Sequence, residues 1–138
     1  MKLFNLSLLG FVLLFSCSEK VTEAECPAIM CTQEFRSVSV LFKDAAGNPT
    51  TVNDFKAVVR RTGKSIQAEP VDTVNFKGYY PVVTDGHRKQ LSTTGDTIDV
   101  SAVHPLTNQK KTAQFVVSGG RCACHIEKIS GPEEITFN

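Results

Sequence analysis

Residues 36–43 read RSVSVLFK, and the period of that stretch decides the fold class. Val38, Val40 and Phe42 share one face, Ser37, Ser39 and Lys43 share the other, and Leu41 is the exception. Apolar and polar side chains alternating at a period of two make a half-buried strand, because successive side chains of an extended chain point to opposite faces. Moving outward, Asp44-Ala45-Ala46-Gly47-Asn48-Pro49 stacks turn formers. Phe55, Ala57 and Val59 then alternate with Lys56, Val58 and Arg60, and Thr62-Gly63-Lys64 closes that run. Tyr79–Thr84 is a further run, in which Pro81 removes a ladder donor and favours a sheet edge. Ile98, Val100 and Ala102 oppose Thr97, Asp99 and Ser101, while Ala113, Phe115 and Val117 oppose Thr112, Gln114 and Val116. Arg121–Ile129 reads as another strand, followed by a Ser130-Gly131-Pro132 turn and a short last strand, Ile135–Phe137. No window carries a long apolar stripe at helical spacing.

About seven strands at this spacing predict an all-β protein, an antiparallel β-sandwich with an immunoglobulin-like or transthyretin-like arrangement. Residues 38–64, VSVLFKDAAGNPTTVNDFKAVVRRTGK, resemble bacterial immunoglobulin-like and carboxypeptidase-regulatory-like domains. What those families share with it is a strand, a Gly-Asn-Pro turn, a second strand and a Thr-Gly-Lys turn. The resemblance covers about a fifth of the chain, implies a fold and brings no catalytic residues with it. CACHIEKISGPEEITF, residues 122–137, together with the lipobox-like Leu14-Phe15-Ser16-Cys17, resembles small uncharacterised lipoproteins of Gram-negative bacteria, a likeness that again carries no known activity.

The N-terminus supplies an address. Lys2 is followed by an apolar run, Leu3–Phe15, broken only by Asn5, Ser7 and Gly10 and ending at Ser16-Cys17. A positive n-region, a short apolar stretch and a small residue are the parts of a secretory signal peptide, here residues 1–16. Leu14-Phe15-Ser16-Cys17 resembles the lipobox of bacterial lipoproteins, with Phe15 bulkier than the usual occupant of its position. That resemblance implies acylation of Cys17, which would then be the first residue of the mature chain. Residues 17–25 form a short polar tether, and 26–138 form a single domain. No other segment approaches the ~18 apolar residues needed to span a bilayer. The expected location is therefore the cell envelope, with the outer membrane, on its periplasmic side or at the cell surface, reached through the N-terminal lipid.

Removing residues 1–16 leaves 122 of the 138 residues, enough for one domain with its own core. The 14 acidic side chains are all retained and only Lys2 of the 15 basic ones is lost, so charge balances. Nucleic acid is not expected as a partner, since neutralising phosphates demands a basic surplus.

Cysteine chemistry follows from compartment. Beyond Cys17 there are four: Cys26 and Cys31 in CPAIMC, and Cys122 and Cys124 in RCACHIEK. An even count in an oxidising compartment points to disulfides. On a regular strand Cys122 and Cys124 would point the same way, roughly 6.5–7 Å apart, whereas bonded cysteines bring their Cβ atoms to about 3.8 Å. Local pairing is therefore disfavoured, which leaves 26–122 with 31–124, or 26–124 with 31–122. A metal-binding or thiol-redox role for these four cysteines is the alternative. Four thiolates, or three with His125, suit tetrahedral zinc. Against that, paired Cys-x-x-Cys knuckles are absent and His125 would face away from Cys124. Covalent haem wants Cys-x-x-Cys-His, one spacer more than is present. The same facing argument removes a Cys124–His125 nucleophile pair. No resident metal and no cofactor is expected.

The remaining polar residues give little chemistry. Asp85-Gly86-His87 reads as a turn with His87 exposed, and His104 as a partly buried histidine with a backbone partner. Asp96 and Asp99 match no calcium loop. The pairs Arg60-Arg61, Arg88-Lys89 and Lys110-Lys111 read as strand ends that could together hold an anionic headgroup or glycan. Glu133-Glu134 reads as solvated, and one of Tyr79 and Tyr80 is expected in the core. The sequence thus predicts a non-catalytic, membrane-anchored lipoprotein, a binding or structural module with an envelope protein or glycan as partner.

Overall fold

The computed structural model describes residues 25–67 and 75–138. The expected signal peptide, Cys17 and the expected tether up to residue 24 lie outside the described residues. The alternating stretch RSVSVLFK contains strand β1, Ser37–Lys43, with Val38, Val40 and Phe42 buried. It is followed by β2 (Asn53–Val59), β3 (Lys64–Ile66), β4 (Tyr79–Thr84), a 3-10 helix (Asp85–Gln90), β5 (Asp96–Val103), β6 (Lys110–Ser118), β7 (Glu127–Ser130) and β8 (Glu134–Thr136). The strands form two sheets, one ordered β4-β1-β8 and the other β3-β2-β5-β6-β7.

This is an all-β sandwich, and its core is a single apolar cluster fed from both sheets. Val38, Val40 and Phe42 of β1 and Val82 and Val83 of β4 meet Ala57, Val59, Ile98, Val100, Ala102, Phe115 and Val117 of the larger sheet. Phe42 organises one end of it, with Phe55 and Tyr80 edge-on at 6.2 and 5.5 Å and Phe137 stacked at 5.9 Å. Of the tyrosine pair, Tyr80 is the one that packs inward, while Tyr79 stays exposed. The Tyr80 hydroxyl accepts the amide of Val52 at 2.9 Å, so its polar end is satisfied where its ring is covered.

Pro81 does place its strand at an edge: β4 has one sheet neighbour, and Pro81 sits opposite Ser39 beside a register shift. The Asp44–Pro49 turn is closed by Asp44, whose Oδ1 accepts the amides of Ala46 and Asn48, both at 2.9 Å. Three expectations need correction. The strand expected over Arg121–Ile129 begins only at Glu127, because residues 121–126 form a turn and bend held by side chains rather than by a ladder. β3 adds an unforeseen strand, three residues long and paired with β2 from Ala57↔Ile66 to Val59↔Lys64. The pairing is also not wholly antiparallel, since β8 runs parallel to β1, with Phe42 opposite Ile135. A parallel neighbour needs a crossover, and β8 gets one when the chain leaves β7 in the larger sheet and returns across the sandwich to the smaller one.

The sandwich has two poles, about 20 Å apart over the seven residues of β1. One gathers the start of β1, the end of β4 with its 3-10 helix, and the segment after β6. The other gathers the Asp44–Pro49 turn, the start of β4, the turn after β5 and residues 137–138.

Candidate functional site

The four cysteines meet at the first pole. Cys26 is bonded to Cys122 and Cys31 to Cys124, with Cα atoms 5.2 and 5.3 Å apart. Of the two connectivities that spacing left open, this is the one in which lower pairs with lower. Residues 25–36 contain no strand, and the bridges fasten this extended segment across the bend that follows β6.

The bend is pinned from its other side. Gly119 and Gly120 are buried, and their amides donate to Ser92 O at 3.0 Å and Arg88 O at 2.7 Å. Gly120 has φ +106, and a Cβ there would meet Thr93 Cγ2 at 2.5 Å, so glycine is required for the close approach. Arg88 Nε donates to Ala123 O at 3.0 Å, between the two bonded cysteines.

Asp85 ties the pole together, a role its turn-like setting did not announce. The expectation of a plain turn with an exposed His87 is corrected in two respects. His87 is half-buried, with Nδ1 3.1 Å from Thr84 Oγ1, and Asp85 is buried. One Asp85 oxygen accepts the amide of Ile126 at 2.8 Å. The other accepts the amide of Arg36 at 2.8 Å and lies 2.7 Å from His125 Nδ1. His125 Nε2 in turn lies 2.9 Å from the hydroxyl of Thr32. A carboxylate thus holds an imidazole by one nitrogen, and the other nitrogen meets a hydroxyl on the stapled segment. Burial alone raises the Asp85 carboxyl, but the Arg36 amide, the His125 ring and the Ile126 amide outweigh it and hold the group below the ordinary carboxylate range.

Elsewhere the candidate residues are engaged with one another. The guanidinium of Arg61 grips buried Asp96 with Nε at 2.7 Å and Nη2 at 2.8 Å, and Ser92 N adds a third donor at 2.7 Å. Arg61 foremost, against burial, holds Asp96 below its ordinary value, and Arg60 does the same for Asp99. Arg60-Arg61 is therefore committed to Asp99 and Asp96 rather than offered to an anionic ligand. Glu133 and Glu134, though exposed, pair with Lys128 and Lys43. His104 has the backbone partners expected of it: Nδ1 accepts from Leu106 N at 3.3 Å and Thr107 N at 3.2 Å. Among the described residues no buried side-chain nitrogen or oxygen lacks a partner.

The sulfurs are spent in the two bridges, which does not favour the metal-binding alternative, and no group of three or more metal-ligating side chains converges among the described residues. No helix among them is long and apolar enough to cross a membrane. The chain was compared with protein-family models, curated proteins and solved structures, and none matches it.

Proposed function

We propose that this chain is a non-catalytic, lipid-anchored lipoprotein of the bacterial cell envelope that serves as a binding or structural module. The observation that carries this reading is the staple. Residues 26 and 31, just beyond the tether, are bonded to a bend locked into the domain, so the chain's route to Cys17 starts from a rigid pole. Disulfides of this kind belong to an oxidising compartment, which agrees with the signal-peptide pattern of residues 1–16.

The opposite pole suits contact with an envelope protein or glycan. Phe76, Tyr79 and Leu106 are exposed there at 55%, 45% and 86%. A cleft of about 510 Å³ lies at the same pole, lined by Asp44, Lys77, His104, Leu106 and Phe137 among others. Loops held out by a rigid scaffold are common places for recognition.

The test has two parts. Metabolic labelling with a fatty acid should mark the protein and be lost in Cys17→Ala, and intact mass should rise by about 4 Da on reduction, two hydrogens per bridge. Retained label in Cys17→Ala, or four free thiols in protein taken directly from membranes, would sink the reading. Crosslinking in native membranes then identifies the partner.

A second reading, that of a hydrolase, is favoured by one observation, the order Thr32 hydroxyl, His125, Asp85. This is the relay a general base uses to activate a hydroxyl nucleophile. Labelling by a fluorophosphonate probe, abolished in Thr32→Val and in His125→Ala, would establish it. Absence of labelling in folded protein returns Thr32 to a purely structural role.

A further inference from the structure

The two bridges enclose a short apolar loop, Pro27-Ala28-Ile29-Met30, that the domain does not bury. Met30 is 100% exposed and Ile29 51% exposed, although a fold with a well-filled core lies close by. Both ends of the loop are bonded to the bend at 122–124, so these side chains are held outward. Basic residues lie beside the bend at the same pole. Arg121 adjoins Cys122, Arg88 holds the carbonyl of Ala123, and exposed Lys89 follows it. Of the acids near this pole, Glu34 pairs with Arg36 and Asp85 is buried against His125, while Glu25, next to Cys26, and Glu127 are exposed. An exposed apolar tip with cations beside it suits a membrane interface, its side chains among the acyl chains and its charges among the headgroups.

We infer that this pole seats on the bilayer, with Ile29 and Met30 inserted beneath the headgroups, and that the domain is thereby held in one orientation. The inference rests on the anchored reading, for the occupant is chosen by where the chain leads. Eight residues lie between Cys17 and Cys26, and the nine steps even fully extended span only about 30 Å. A lipid at Cys17 therefore keeps the loop within reach of the same bilayer. Insertion then becomes an intramolecular event, for which two apolar side chains suffice where they would not hold a free protein. With this pole on the lipid, the Asp44–Pro49 turn, Phe76 and Leu106 face away from the membrane.

The test places a photoreactive benzoylphenylalanine at Met30 or, at the opposite pole, at Leu106 in the full chain in native envelope membranes. Both side chains are exposed, and intact mass of each variant confirms that the two bridges have formed. The expected result is phospholipid adducts at position 30 in about tenfold excess over position 106. No lipid adduct at position 30, or equal adducts at both positions, overturns the seat. The same spectra report whether Cys17 is acylated. Acylated Cys17 without adducts at position 30 leaves the anchor standing and removes the seat. Adducts at position 30 without acylation do the reverse.

Discussion

Asp85 is where the pole is most dependent on a single residue. Its carboxylate accepts two amides from distant segments and holds His125, so an amide nitrogen in place of one oxygen sets a donor against donors. Asp85→Asn should lower the unfolding free energy by about 1–3 kcal/mol at pH 7, measured by urea titration with the bridges intact. The pH dependence has a definite sign. The folded value lies below the unfolded one of about 3.9, so the stabilisation is fully present above the unfolded value and lost as pH falls through the folded one. Asp85→Asn should therefore lose less stability than the parent between pH 5 and pH 3. An unchanged difference between those two pH values would show that Asp85 is not part of the acid response, leaving it to Asp96 and the other paired carboxylates. None of this was legible in the sequence. Asp-Gly-His is locally a turn, and the partners that make Asp85 structural lie 40, 41 and 49 residues away.

Among the elements, strands that bury one face were read directly, because β5, β6, β1 apart from Leu41 and β2 from Phe55 onward keep the two-residue period. β3 escaped because three residues show no period, and residues 121–126 misled because small residues and cysteines fit an extended pattern that long-range contacts override. Pairing of cysteines across the chain rather than within Cys-Ala-Cys was foreseen, while the choice between two connectivities needed the fold. The bridges overlap, so they do not contribute equally in sequence. Closing either loop, of separation 96 or 93, adds roughly 4–5 kcal/mol in the chain-entropy model. Once one is closed, the other closes only a short ring and adds about 2–3 kcal/mol. Chemical denaturation should accordingly find Cys26→Ser/Cys122→Ser and Cys31→Ser/Cys124→Ser about equally and mildly destabilised, with the larger loss reserved for removing all four cysteines. The link between β7 and β8 is a separate sensitive point. Gly131 has φ +134, and a Cβ there would meet the ring of fully buried Phe115 at 2.5 Å. Gly131→Ala combines backbone strain with a core clash and should cost about 2–4 kcal/mol by the same measurement.

At the scale of the whole molecule, one apolar cluster joins both sheets, and both bridges close long loops through it. Unfolding with the bridges intact should be a single transition. There is no tryptophan, and of the two tyrosines Tyr79 is exposed and Tyr80 lies against the core, so the change in tyrosine emission follows Tyr80 at the Phe42 end of the sandwich and far-UV circular dichroism follows its strands. Their midpoints should coincide, and separate midpoints would mean that the sheets come apart independently. The paired bridges also govern how the molecule answers to a pull. Tension arriving along the backbone from the N-terminal side divides between two covalent rungs and passes into the bend at 122–124. It never peels β1 away one hydrogen bond at a time, because the sulfur links carry the load before Thr32–Arg36 can be drawn taut. A domain fastened in this way resists being unzipped from its leash until a reductant cuts both rungs.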